Sequence, residues 1–178
     1  HAGTHPEPIT GAVMTPIFQT STYAQQEPGI HKGYDYSRGG NPTRTAYEEA
    51  LACIEGARFG LAFSSGLAAI QAVAQAYLNP GDRVVVCDDV YGGTGRLFRT
   101  LFAKYGINFD FIDMTKPGEL KDAAAGKPKL FWVETPTNPT LKVIDIRAVA
   151  ALAKNTGAML AVDNTFASPC FQNPLSHI

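Results

Sequence analysis

Four polar stretches of this 178-residue sequence carry groups suited to a flat, anionic ligand. Ser64-Ser65-Gly66-Leu67 follows an apolar run and opens a helical pattern. Free backbone N–H groups and the positive end of the helix dipole make such a turn a seat for phosphate, and Gly66 lets a ligand come close to the main chain. Asp163 follows Ala161-Val162 at the end of an apolar run that reads as a central strand. A carboxylate there is poorly solvated and needs a partner, and a protonated pyridine nitrogen would serve. Tyr91 stands in the glycine-flanked run Val90-Tyr91-Gly92-Gly93, where an aromatic ring suits stacking on a planar ligand and a phenol suits proton transfer. Tyr36-Ser37-Arg38 offers a guanidinium whose fork matches phosphate oxygens. Each has a plainer reading: a capped helix start, a loop-capping Asp, a packed surface Tyr, a solvated Arg. Their joint occurrence is what points to chemistry.

The elements that must position these groups alternate. Residues 1 to about 43 hold many Gly, Pro and Thr residues, lack sustained apolar periodicity and read as an irregular arm. Thr45–Ile54 has apolar residues at helical spacing and stops at Gly56. Five strands are then predicted at Phe59–Phe63, Arg83–Cys87, Asn108–Ile112, Leu130–Val133 and Met159–Val162. Between them lie helices at 67–78, 95–105, 118–124 and 145–155, the last with Asp145 as its N-cap. This alternation implies an α/β fold with a mostly parallel sheet, whose ligands bind beyond the carboxyl ends of the strands. The chemistry-bearing residues fall there. The loop Glu134-Thr135-Pro136-Thr137-Asn138-Pro139 must turn sharply at a strand end, and at least one of its two X-Pro bonds is predicted to be cis.

Composition narrows the classes. With 45% hydrophobic and 17% charged residues the chain is expected to be globular rather than disordered. A net charge of −1 with scattered Lys and Arg gives no nucleic-acid surface and no polybasic membrane patch. No apolar run approaches a membrane span. The opening His1-Ala2-Gly3 has no signal-peptide pattern and no initiator Met, so the natural start is expected upstream. Cys53, Cys87 and Cys170 lie far apart without CxxC spacing; each is expected to be a buried thiol in a reducing, cytoplasmic setting. His1, His5, His31 and His177 lack metal-ligand spacing, and no metal is expected. Gly93-Thr94-Gly95-Arg96-Leu97-Phe98 lacks the third glycine of a dinucleotide loop, and there is no Walker A sequence. No internal repeat is visible.

Five motifs in order, Tyr36-Ser37-Arg38-Gly39-Gly40-Asn41-Pro42-Thr43-Arg44, Ser65-Gly66-Leu67-Ala68-Ala69, Asp89-Val90-Tyr91-Gly92-Gly93-Thr94, Glu134-Thr135-Pro136-Thr137-Asn138-Pro139 and Val162-Asp163-Asn164-Thr165-Phe166, make the whole chain similar to the Cys/Met-metabolism family of pyridoxal 5'-phosphate (PLP) enzymes, of the cystathionine γ-lyase and γ-synthase type. The resemblance implies an aspartate-aminotransferase-like large domain (fold type I), incomplete in this chain. Residues 1–43 would be an arm reaching a neighbouring subunit and 44–178 the first part of the PLP-binding domain, with the C-terminal domain absent. It also implies that Tyr36 and Arg38 hold the phosphate of a neighbour's cofactor. Gly66 and Leu67 would give it backbone N–H groups. Tyr91 would stack on the ring, Asn138 would lie near its phenolic oxygen, Asp163 would pair with its nitrogen and Thr165 would support it. Tyr91 and Asp163 would be the catalytic pair, with Arg96 a further active-site charge.

Within the family, Gly93 stands where methionine γ-lyases typically carry Cys, and the stretch 134–145 looks most like cystathionine γ-lyases. The implied reaction is γ-elimination of L-cystathionine in transsulfuration by a cytoplasmic homotetramer, a dimer of dimers. The alternative is γ-replacement on an activated homoserine by a γ-synthase. The family's Schiff-base lysine, about two dozen residues after the pyridine-binding Asp, falls beyond Ile178, and no lysine stands between Asp163 and Ile178. The arginine that would hold the substrate carboxylate is expected in the absent domain. A non-catalytic truncated scaffold is the reading from another class, and the missing lysine is its one support.

Overall fold

The computed structural model describes residues 3–177; the His1-Ala2 opening and Ile178 lie outside the described residues. The chain divides into two compact units, residues 1–62 and 63–178.

The first unit is irregular up to a single helix, as its Gly, Pro and Thr content predicts. Its only β features among the described residues are the isolated bridges Thr22–Tyr36 and Glu27–Ile30. Helix α1 spans Pro42–Glu55, three residues longer at its start than the apolar spacing predicts. The reason is local: the Asn41 side chain accepts from the N–H groups of Thr43 and Arg44, and Pro42 fits the first helical position. Gly56 ends the helix in the left-handed conformation, at φ 66°. Side chains tie the arm to this start. Thr43 Oγ1 accepts from Phe18 N at 2.9 Å and donates to the Pro16 carbonyl at 2.8 Å. Arg44 donates to the carbonyls of Ser37 and Gly39.

The second unit is a four-stranded parallel sheet in the order β2-β1-β3-β4. Its elements are α2 (Gly66–Tyr77), β1 (Arg83–Cys87), α3 (Gly92–Arg96), β2 (Asn108–Ile112), α4 (Pro117–Ala125), β3 (Leu130–Glu134), α5 (Ile146–Thr156), β4 (Met159–Asp163) and α6 (Ser168–Phe171). After α3 the chain continues as a π-helical turn, Leu97–Leu101, and a 3₁₀ turn, Phe102–Tyr105. The interior strands β1 and β3 are apolar and almost wholly buried, as strands covered on two faces must be. The edges β2 and β4 are only partly buried. Phe98 is fully buried, stacks on Phe109 of β2 at 4.8 Å and meets Trp132 of β3 edge-on at 5.4 Å. Helices α4 and α5 pack on each other, α4 against β2 and α5 against β3 and β4.

Three expectations are corrected. Phe59–Phe63 is not a strand, so the described residues hold four strands rather than five. A strand needs a ladder partner for its N–H and C=O groups; among the described residues this run pairs with none, and Phe59, Leu61 and Phe63 are exposed. Among the described residues Asp163 ends the last strand in the sheet order, not a central one, because β4 pairs there with β3 alone. Of the three cysteines only Cys87 is buried; Cys53 on α1 and Cys170 in α6 are exposed. Both X-Pro bonds of the 134–139 loop are cis.

Phe98 joins the helical stretch after β1 to two strands. Phe98→Ala is expected to cost about 3–5 kcal/mol of stability, the range for removing a large buried aromatic, read by denaturant unfolding of the full-length protein. A loss within about 0.5 kcal/mol would place the core elsewhere.

Candidate functional site

The carboxyl ends of the parallel strands and the start of α2 enclose a cavity of about 350 Å³ in the second unit, the size of a small cofactor site. One wall is the start of α2. Ser65 caps it by accepting from Ala68 N at 3.1 Å. The N–H groups of Gly66 and Leu67 have no hydrogen-bond partner among the described residues, as expected for the first positions of a helix. A Cβ built on Gly66 would meet nothing within 4 Å, so the backbone is open to a ligand.

A second part of the lining comes from the end of β4 and the turn after it. Asp163 Oδ1 accepts from Thr165 N at 3.1 Å and from Thr165 Oγ1 at 2.5 Å. Its second oxygen has no hydrogen-bond partner among the described residues. Phe166 and Ile70 add apolar surface, and Tyr91, half exposed, lines the cavity from the loop after β1. Gly93 is tight against it: a Cβ there would stand 2.5 Å from Tyr91 Cε1 and 3.0 Å from Leu67 Cδ1.

Two carboxylates to which the sequence reading gave no role organise the loops. Glu134, the last residue of β3 and 5% exposed, also lines the cavity. Both its oxygens accept from Tyr91 N, at 3.1 and 3.0 Å, and Oε1 accepts from Asn138 N at 2.9 Å. Burial pushes its carboxyl up from the ordinary glutamate value, and the charge of Asp163, its register partner, adds to that; the Tyr91 and Asn138 N–H groups oppose it. Asp89, in the loop after β1, reaches the other way. Its Oδ2 accepts from Thr137 Oγ1 at 2.5 Å, from Thr140 N at 3.0 Å and from Thr140 Oγ1. Partial desolvation of Asp89 is outweighed by these bonds and by the Lys142 charge, so its carboxyl lies below the ordinary value. The signal for Glu134 was the one that picked out Asp163: a carboxylate straight after an apolar strand.

A third tie is ionic. Lys142 Nζ lies 3.0 Å from Asp88 and 3.2 Å from Asp113, joining the loops that follow β3, β1 and β2. The Thr115 hydroxyl, with the Thr115 N–H and Lys142, holds the Asp113 carboxyl at about 2.

The cavity thus brings together Gly66, Leu67, Tyr91, Asn138, Asp163 and Thr165 of the expected site. Arg96, in α3, is not among its lining residues. Tyr36 and Arg38 belong to the first unit, where the Arg38 guanidinium lies over the Tyr36 ring at 4.9 Å. No group of three or more His, Cys, Asp or Glu side chains suited to a metal exists among the described residues. Nor is any described helix long and apolar enough to cross a membrane. Free N–H donors, an aromatic ring and a half-free carboxylate around one cavity fit PLP, which bears a phosphate, a ring and a basic nitrogen.

Comparison with known proteins agrees with that donor set. The family model described as Cys/Met metabolism PLP-dependent enzyme matches residues 1–178. A cystathionine gamma-lyase from Dictyostelium discoideum is 50% identical over 176 residues, and a cystathionine beta-lyase from Coxiella burnetii 49%; each alignment covers 98% of this chain and 45% of the relative. The crystal structure of cystathionine gamma synthase from Xanthomonas oryzae pv. oryzae in complex with aminoacrylate and cysteine superposes with a TM-score of 0.94 at 45% identity, over 99% of this chain and 46% of that one. The chain therefore spans about half the length of the relatives it matches.

The Asp113 tie has a pH signature. Its folded carboxyl lies below the ordinary aspartate value of 3.8, so its contribution is complete above that value and is lost as pH falls toward about 2. The full-length protein is expected to lose thermal stability over that window, and Asp113→Asn to flatten that part of the curve. An unchanged slope would show that Asp113 does not hold the loops.

Proposed function

The chain belongs to the family of Cys/Met metabolism PLP-dependent enzymes, and from that membership we propose that its parent protein is a cystathionine γ-lyase, converting L-cystathionine and water to cysteine, 2-oxobutanoate and ammonia. Asp163 carries the cofactor half of this reading: one oxygen is fixed by Thr165 and the other is free at the cavity wall. Gly93 supports the choice within the family. A side chain there would collide with the Tyr91 ring, so the Cys of methionine γ-lyases is not accommodated with Tyr91 where it stands.

When bound, PLP supplies an electron sink for the substrate's Cα and Cβ. The chain's own residues bind, orient and move protons. The N–H groups of Gly66 and Leu67 hold the phosphate at the start of α2. Tyr91 stacks its ring on the cofactor, and its hydroxyl is placed to take or give a proton. Asp163 keeps a proton on the pyridine nitrogen, oriented by its two bonds from Thr165. Asn138 serves the phenolic oxygen. Arg96 stays a lesser candidate for a substrate-side charge.

A γ-synthase is the second reading, favoured by the likeness to the Xanthomonas oryzae enzyme. Incubating the full-length protein with L-cystathionine and assaying 2-oxobutanoate separates the two. Sustained release is expected. No release, together with cystathionine formation from cysteine and an activated homoserine, would replace the lyase by the synthase.

We further propose that residues 1–43 form an arm that crosses to a second subunit of a cytoplasmic homotetramer, built as a dimer of dimers. Tyr36 and Arg38 would there complete the neighbour's phosphate site, while 44–178 form the first part of the PLP-binding domain. The adjacent guanidinium and phenol support this, since together they suit a phosphate. Asp163→Ala alone is expected to lose on the order of 10²–10³-fold in turnover, as for other electrostatic groups. Mixed dimers of an Arg38→Ala subunit and an Asp163→Ala subunit are expected to regain a fraction of activity, because one of their two sites is then intact. No recovery in verified mixed dimers would return Arg38 to its own subunit.

A further inference from the structure

Glu134 is a buried carboxylate that the proposed chemistry does not use. It is nonetheless the most heavily engaged side chain at the cavity. Its carboxylate accepts three contacts from two backbone N–H groups, those of Tyr91 and Asn138, which belong to different loops. Its own backbone is fastened below. Glu134 N donates to Cys87 Sγ at 3.2 Å, and that thiol lies 3.8 Å from the Glu134 carbonyl. The side chain therefore projects from a fixed strand end, with little freedom to follow a moving loop.

The two residues it grips contribute in different ways. Tyr91 presents an aromatic ring, and Asn138 an amide, and each depends on where its backbone is held. Tyr91 is half exposed, so packing alone does not fix it. Asp89 secures the far side of the second loop through Thr137 and Thr140, but makes no bond to Tyr91 or Asn138 themselves. Glu134 is the one described side chain that holds both of their backbone N–H groups. Hydrogen bonds to a charged acceptor in a poorly solvated site are strong, and losing the acceptor leaves two N–H donors without it.

We infer that Glu134 is a positioning residue: it sets Tyr91 and Asn138 at a fixed spacing across the cavity before the cofactor arrives, and so governs how tightly and in what orientation the cofactor is held. The inference rests on the PLP reading of the cavity, and it adds to that reading a residue that acts through two others without touching the reacting atoms.

The test uses the full-length holoenzyme and reads the rate of PLP loss, with the visible circular dichroism of bound PLP as a second signal of its orientation. Glu134→Ala is expected to release PLP about 10-fold faster and to change the dichroism per bound cofactor. In a Tyr91→Ala/Asn138→Ala background the same substitution is expected to change the release rate less than about 2-fold, because the groups through which Glu134 acts are gone. Glu134→Gln, isosteric but with an NH2 donor group in place of one acceptor oxygen, gives the same comparison with a smaller change where the alanine variant does not fold. Equal fold-changes in both backgrounds, or wild-type release and dichroism in the single variant, would overturn the inference. A wild-type protein that holds no PLP would instead overturn the reading of the cavity.

Discussion

Four strands that run the same way end at the same edge, and each must leave that edge by a loop. What those loops carry is held in place by bonds that cross from one loop to the next. The Glu134 carboxylate supplies the central crossing, from the end of β3 to the loop after β1. Asp89 supplies the return crossing, and Lys142 ties in the loop after β2. The ring of Tyr91, the amide of Asn138 and the carboxylate of Asp163 share one cavity, the first two held by Glu134 and the third by its pairing with Glu134 across β3 and β4. A parallel sheet whose interior strands are almost wholly buried gives these loops a closely packed base.

Much of this was legible in the residues. Arg83–Cys87 and Asn108–Ile112 are strands at the predicted bounds, because β-branched or aromatic runs between turn residues leave little choice. Cavity residues were found by looking just past strand ends. Other features were not legible, for physical reasons. Phe59–Phe63 has a strand's composition, but composition does not supply a partner to pair with. Strand order is a non-local property, so the edge position of β4 could not be read from Ala161-Val162-Asp163. Glu134 opens the Glu134-Thr135-Pro136-Thr137-Asn138-Pro139 motif, but nothing in that local run marks its task. Its role lies in hydrogen bonds to residues 43 positions earlier and 4 later, which no local pattern records.

Relatives named for γ-lyase and β-lyase activity resemble this chain almost equally, at 50% and 49% identity. A shared way of holding PLP explains why overall likeness over this stretch does not rank the activities. PLP makes the same demands of any site that holds it, whatever the substrate. Discrimination among substrates is a difference in transition-state binding, which overall identity does not measure.

Cys87 gives the sheet a silent chemical clock. It ends β1, fully buried against the backbone of Glu134 at the end of β3, and burial pushes its thiol up to about 12. Alkylation requires the thiolate, so in the closed sheet this sulfur is both unreachable and unreactive at neutral pH. It gains both properties together when β1 and β3 part. The lag between labelling of the exposed Cys53 and Cys170 and labelling of Cys87 would therefore time the opening of the strand ends that hold the cavity.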